Sequence, residues 1–156
     1  MAQDASLRVK KLNQITSNIY NSKDLTSTQY QNYIETLEAH QCWIPLVYTL
    51  NRQIKKKIAE ETLTDYYIKL ARIQYAHIHD KMACAQTCSG MISTLKLSYK
   101  KFYSILTNQI AQKQDFSFIT FILENVFNDF ERKRDRVKTL EGLCLFYTKI
   151  IHNQSK

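Results

Sequence analysis

The stretch that decides the fold is residues 64–91, TDYYIKLARIQYAHIHDKMACAQTCSGM. Its first half places Tyr67, Leu70 and Ile73 at helical spacing, which predicts a helix with one apolar face. Asp80 precedes the second half and can accept hydrogen bonds from the free N–H groups of a first helical turn. The second half is rich in small residues, namely Ala83, Cys84, Ala85, Cys88 and Gly90. Because small side chains let another helix approach closely, the stretch predicts a hairpin of two packed helices.

The same pattern recurs with a period of 36 residues. In each unit an aromatic residue stands four positions before an aliphatic residue, and a third apolar residue follows thirteen positions after the aliphatic residue. The members are Tyr30, Ile34 and Val47, then Tyr66, Leu70 and Ala83, then Phe102, Leu106 and Ile119. A repeat of this length is typical of stacked helical hairpins.

Composition favours the same fold class. The 156 residues include only two glycines and one proline, the residues on which sheets and long loops depend for their turns. We therefore expect an all-α protein in which short polar connections join about eight helices. The predicted helices cover about 5–21, 27–40, 43–57, 64–78, 80–91, 97–112, 115–130 and 137–151. The predicted caps are Ser27, Thr64 with Asp65, Asp80 and Asp115, and the chain is expected to bend at Ser93 and Thr94.

The helices are grouped into one domain, 1–156. A leading helix and polar break occupy 1–26, three hairpin repeats occupy 27–62, 63–98 and 99–134, and a closing helix with a polar tail occupies 135–156. The helix from Phe116 to Phe130 has the widest apolar face, so it is expected to be the most buried. A charged junction, 131–138, is predicted to precede the closing helix. No apolar run approaches the roughly 18 residues that a membrane span needs.

The spacing resembles that of tetratricopeptide and pentatricopeptide repeats. In both families an aromatic residue near the start of the first helix precedes a Leu, and an Ala follows thirteen residues after the Leu. Tyr67, Leu70 and Ala83 match this pattern, and Tyr103 and Leu106 begin a second copy that Ile119 completes in place of Ala. Met91 resembles the Met that ends a pentatricopeptide repeat. The chain departs from both families in its period of 36 and in lacking the Pro at the end of a repeat.

The resemblance implies a stack of hairpins whose first helices line a concave groove. The matching groove positions are Asn32, Thr36, Arg72, Tyr75, Lys101 and Asn108. A pentatricopeptide protein would read RNA bases with the residue after the aromatic and the last residue of the repeat. Those pairs are Ile68 with Tyr99, which lacks the expected polarity, and Ser104 with Asp135, which has it.

The net charge of +8 predicts attraction to anions. The basic surface comprises Lys55, Lys56, Lys57, Arg132, Lys133, Arg134, Arg136 and Lys138. The favoured function is a non-catalytic protein-binding module or scaffold that captures an acidic segment of another protein. Two alternatives stay open: an RNA-binding helical-repeat protein and a structural subunit of a larger assembly. A merely solvated basic surface would also account for the charge.

The sequence lacks the common catalytic and nucleotide-binding motifs. It contains no P-loop, GxSxG, HExxH or paired-carboxylate motif, so neither an enzyme nor a cofactor is expected. Cys84 and Cys88 follow His77 and His79, but thiols one helical turn apart supply only two ligands, so packing is preferred to zinc binding. Without an apolar leader, a cytoplasmic location with reduced thiols is expected. The alternative is that the amphipathic, acid-free segment 6–23 is an organellar presequence.

Overall fold

The computed structural model describes residues 26–112 and 114–154. These residues form seven α-helices and no strand, so the predicted all-α class is confirmed. The described helices number seven rather than the predicted eight, since the helix predicted at 5–21 lies outside the described residues. The described part of the chain divides into two compact units, the first ending at Gln41 and the second beginning at Cys42. The division into repeats stays a prediction.

Helix α1, Ser27–Ala39, is the described helix of the first unit. Thr26, rather than the predicted Ser27, caps it: the Thr26 hydroxyl accepts the N–H of Gln29, and the Gln29 side chain accepts the N–H of Thr26. This reciprocal pair satisfies two N–H groups at once, which a cap at Ser27 would not do. The predicted apolar face is buried and comprises Tyr30, Tyr33, Ile34 and Leu37.

The second unit contains six helices in the described residues. They are α2, Trp43–Gln53; α3, Glu60–Ile73; α4, Lys81–Leu95; α5, Tyr99–Ile105; α6, Phe116–Val126; and α7, Lys133–Gln154. Helix α3 continues into the π-turn Gln74–Ile78, and α5 into the π-turn Leu106–Ile110. Helix α3 packs against α2 and α4, α4 packs against α6, and α7 packs against α5 and α6. The π-turn after α5 contacts α3.

The predicted hairpin is formed by α3 and α4. Leu70 and Ile73 are buried on α3, and Cys84 and Ala85 are buried on α4. The two helices approach closely enough for the Cys84 thiol to donate to the carbonyl oxygen of Ala71 at 3.4 Å. Small residues on α4 therefore allow close packing, as the sequence predicts.

A buried polar pair also joins this hairpin. The Thr87 hydroxyl on α4 donates to Oε1 of Gln74 at 2.8 Å, and both side chains are buried. Since a buried polar group is costly unless it is hydrogen-bonded, the pair fixes how the π-turn after α3 lies on α4.

Two of the predicted caps are confirmed. Asp80 accepts the N–H of Ala83 at the start of α4, and Asp115 accepts the N–H of Phe118 at the start of α6. The predicted start of α3 at Thr64 is wrong, because the helix begins at Glu60 and the Thr64 hydroxyl bonds back to the Glu60 carbonyl. Acidic residues in the first turn favour that earlier start.

The end of α4 and the start of α7 also differ from expectation. No bend occurs at Ser93 and Thr94; α4 runs to Leu95 and ends where Lys96 adopts a left-handed conformation, with φ of 48°. The predicted junction 131–138 is largely helical, since α7 begins at Lys133. This start places Asp135 in the first turn of α7, where its carboxylate is buried and accepts the backbone N–H of Tyr99 at 3.1 Å.

The core lies where α6 meets α4 and α7. Helix α6 buries Phe118, Ile119, Ile122, Leu123 and Val126 on its wide apolar face. The predicted helix stops at Val126, and a 3₁₀ turn, Phe127–Asp129, follows it. Phe130 therefore lies beyond the helix in an extended conformation, yet it is buried against the rings of Tyr99 and Phe102.

Candidate ligand groove between α3 and α5

A shallow, open cleft of about 510 Å³ lies between α3 and α5. Its buried floor is formed by Ile68 and Ile105. Its polar walls are formed by Thr64, Asp65, Ser98, Lys100, Lys101, Ser104 and Gln109. An apolar floor between polar walls suits a ligand that buries one side and hydrogen-bonds along its edges. We call this cleft the α3/α5 groove.

The start of α5 gives the groove its positive charge. The Ser98 hydroxyl accepts the N–H of Lys101 at 3.4 Å, so Lys100 and Lys101 fall in the first turn of the helix. Cations at a helix N-terminus oppose the helix dipole, and the Asp135 carboxylate, which accepts the N–H of Tyr99, relieves part of that repulsion. The lining contains two lysines and one aspartate, Asp65, so the groove carries a net positive charge.

One of the six predicted groove residues, Lys101, lines this site. Asn108 does not line it, but its side-chain amide donates to the hydroxyl of the lining residue Ser104 at 3.2 Å. Asn32 and Thr36 are on α1 in the other unit, where the Thr36 hydroxyl donates to the Asn32 carbonyl oxygen. Arg72 is exposed in the last turn of α3 and does not line the groove.

Tyr75 lies at a different cleft, of about 300 Å³. Its hydroxyl donates to Oδ2 of Asp115 at 2.8 Å, and its ring packs on Phe118 with the centroids 4.2 Å apart. Burial and the hydrogen bond to Asp115 raise the pKa of the Tyr75 hydroxyl. Tyr75 thus joins the π-turn after α3 to the start of α6, and this predicted groove residue does not line the α3/α5 groove.

The predicted basic residues lie in two separate places. Lys55, Lys56 and Lys57 are exposed in the turn after α2. Arg132, Lys133 and Arg134 are exposed where α7 begins, whereas Arg136 and Lys138 are half-buried. Nη2 of Arg136 donates to the carbonyl oxygen of Glu131 at 3.4 Å, which keeps that side chain close to the start of the helix.

Asp135 bears on the RNA interpretation. The predicted base-reading pair was Ser104 with Asp135, but only Ser104 is exposed. The Asp135 carboxylate is buried and occupied by the N–H of Tyr99, so it is not presented to a base. Ile68, of the other pair, is part of the groove floor.

Sequence reasoning missed Asp65, Ile68, Ser104 and Gln109 as groove residues. For three of them a signal exists, because Asp65 and Ile68 lie two turns and one turn before the predicted groove residue Arg72, and Ser104 lies one turn before the predicted groove residue Asn108. The sequence pattern does not specify which part of α3 faces α5 and the π-turn that follows it.

Cys84 and Cys88 lie in the core, with their side chains fully buried. A hydrogen bond with Cys84 and burial raise the pKa of the Cys88 thiol well above its ordinary value. Metal ligation and nucleophilic attack both need a thiolate, which this environment disfavours. His77 lies apart from them, stacked on Trp43 with the ring centroids 3.8 Å apart.

We expect chelation to have no effect on the fold. Treatment with a strong chelator should leave the helical circular-dichroism signal and the melting temperature unchanged, because the packing of Cys84 and Cys88 requires no metal. Elemental analysis should find no stoichiometric zinc. A content near one zinc per chain, lost together with helicity, would overturn the assignment of these cysteines to the core.

Neither a membrane-spanning helix in the described residues nor a match to a known protein helps to define this site. Within the described residues, no helix is both long and apolar enough to cross a membrane. The resemblance to helical repeats rests on residue spacing. Comparison with family models, curated proteins and solved structures finds no match to this chain.

Proposed function

We propose that this chain is a non-catalytic protein-binding module whose α3/α5 groove captures an acidic segment of another protein. The observation that carries the proposal is the pairing of an apolar floor, Ile68 and Ile105, with two exposed lysines in the first turn of α5. An extended segment would bury an apolar side chain on the floor while its carboxylates approach Lys100 and Lys101.

The proposal includes a hairpin stack of the tetratricopeptide or pentatricopeptide kind. In such a stack, first helices neighbour first helices and second helices neighbour second helices. The contacts of α3 with the π-turn after α5, of α5 with α7, and of α4 with α6 support this arrangement. The groove then lies between the first helices of successive hairpins. A cytoplasmic location accords with four free thiols.

RNA is the second candidate ligand, and the net charge of +8 favours it. The occupied carboxylate of Asp135 argues against base reading by the predicted pair. Binding through Lys and Arg alone releases counterions and does not select sequence. We therefore expect any RNA binding to be weak, indifferent to sequence and steeply reduced by salt.

Charge reversal in the groove tests the proposal. Wild-type protein, K100E/K101E and the matched control K55E/K57E should be used as baits in native extract, with and without nuclease. The control changes the net charge equally at exposed lysines outside the groove. We expect K100E/K101E to lose the captured protein, with a loss of at least about tenfold in affinity, whereas K55E/K57E and nuclease leave capture intact.

Release by nuclease alone would favour RNA instead. Equal loss of capture in both double variants would indicate non-specific attraction to the basic surface. Matching circular-dichroism spectra and melting temperatures would show that neither variant acts through unfolding.

A further inference from the structure

A second cleft adjoins the α3/α5 groove at the start of α5. It has a volume of about 350 Å³ and lies between the turn that joins α4 to α5 and the segment that joins α6 to α7. Ser98 and Lys101 line both the groove and this cleft, so the two hollows share an edge. We call the second one the α4/α7 cleft.

The α4/α7 cleft is built like the groove. Its apolar floor is formed by Ile92 and Leu97, which are 1% and 5% exposed, and by the half-buried Leu95. Charged side chains form its walls. A segment that buries one apolar side chain in the groove can therefore bury another here, on the far side of Ser98.

The charges that line the α4/α7 cleft are unequally matched. They belong to three cations and three carboxylates, namely Lys96, Lys101, Arg132, Asp129, Glu131 and Asp135. Oε1 of Glu131 lies 3.4 Å from Nζ of Lys96, and the buried carboxylate of Asp135 accepts the N–H of Tyr99. In the part of the chain that the structure describes, the side chains of Lys101, Arg132 and Asp129 have no such partner. Two unmatched cations against one unmatched carboxylate leave the cleft attractive to an acidic group.

Arg132 is the residue best suited to hold that group. Its side chain is exposed at the mouth of the cleft, just before α7 begins. A guanidinium presents its N–H donors in a planar fork that matches both oxygens of a carboxylate. Asp129, on the same wall, would disfavour a second carboxylate beside the first.

We infer that the α4/α7 cleft is a second subsite for the acidic segment that the groove captures. The segment runs past Ser98 and Lys101, lays an apolar side chain on Ile92 and Leu97, and places a carboxylate against Arg132. This inference rests on the proposed function of the groove. A second copy of the chain is a poorer occupant, because two chains that each carry a net charge of +8 repel one another.

The dimensions of the groove set the length of segment required. Ser98 and Gln109 mark the limits of the groove along α5 and its π-turn, so at a helical rise per residue they lie roughly 16 Å apart. About five extended residues cover that distance. A segment of about ten residues would fill both the groove and the α4/α7 cleft.

Peptides of two lengths test the inference. The short probe is a fluorescently labelled peptide of about six alternating Glu and Leu residues, enough for the groove alone. Two long probes add Glu-Leu-Glu-Leu at the N-terminal or the C-terminal end, and two controls add Gly-Ser-Gly-Ser at the same ends. Fluorescence anisotropy measures binding to the full chain. We expect one Glu-Leu extension to tighten binding about tenfold and neither Gly-Ser extension to do so.

Arg132 and Arg134 provide a matched pair of variants. Both are exposed near the start of α7, but only Arg132 lines the cleft. We expect R132E to abolish the gain from the extension and to leave the short probe unaffected, whereas R134E preserves the gain. R132Q, which adds no carboxylate beside Glu131, should remove at least about threefold of the gain. Circular dichroism and melting temperatures should match the wild type, because the replaced side chains are exposed.

Three results would overturn the inference while leaving the groove in place. The first is no gain from either Glu-Leu extension although the short probe binds and K100E/K101E releases it. The second is an equal loss of the gain in R132E and R134E. The third is a dimer in analytical ultracentrifugation that R132E dissociates and the long probes do not, which would assign the cleft to a second copy. Failure of the short probe to bind, or its indifference to K100E/K101E, would instead refute the proposed function, and the inference with it.

Discussion

Leu70→Asp is expected to abolish cooperative folding of the second unit. Leu70 has no exposed surface and lies where α3 meets its neighbours. An unpaired carboxylate there would lose apolar burial and incur the desolvation cost of a charge, together more than about 4 kcal/mol. Since the free energy of unfolding of a small domain is about 5–15 kcal/mol, the substitution would remove most of it. Circular dichroism during thermal and urea denaturation measures the effect.

Ile119→Asp should have a comparable effect, because Ile119 is 1% exposed on α6. Gln86→Asp is the matched control, since Gln86 is exposed on α4, and it should cost no more than about 1 kcal/mol. Melting curves unchanged by both core substitutions would refute the helix register described above.

Phe130→Ala is expected to destabilise the protein by about 3–5 kcal/mol. Phe130 is 1% exposed, and its ring meets those of Tyr99 and Phe102 edge-on, with centroids 6.1 and 6.0 Å away. Truncation would leave a cavity among aromatic groups that are held by α5 and cannot readily close it. The midpoint of urea unfolding should fall, with the slope of the transition unchanged.

Phe127→Ala removes the same side chain three positions earlier and serves as the control. Phe127 is half-buried in the 3₁₀ turn, so its loss should cost clearly less than that of Phe130. Equal losses at the two positions would contradict the placement of Phe130 in the core. The sequence pattern alone treats both residues as the same apolar face of one helix.

Some features of the candidate site follow from the local sequence, whereas others depend on contacts between residues that are distant along the chain. Lys101 could be predicted because its helix and its place near the helix start are local properties. Tyr75 was predicted to line the groove, but its hydroxyl bonds to Asp115, which is 40 residues away along the chain. Asp135 was predicted to be available to RNA, whereas its partner, Tyr99, is 36 residues away. Such pairings depend on how helices cross, which periodicity does not encode.

By itself, the sequence determined the all-α class, the apolar faces of α1, α3 and α6, and the caps at Asp80 and Asp115. These features arise from interactions within a few residues: side-chain spacing, first-turn hydrogen bonds and the scarcity of glycine and proline. Only the tertiary structure decided that α7 begins at Lys133, that Phe130 enters the core beyond its helix, and that Ile68 and Ile105 form one floor. Each of these depends on contacts between helices distant in sequence, where burial and hydrogen bonding outweigh local preference.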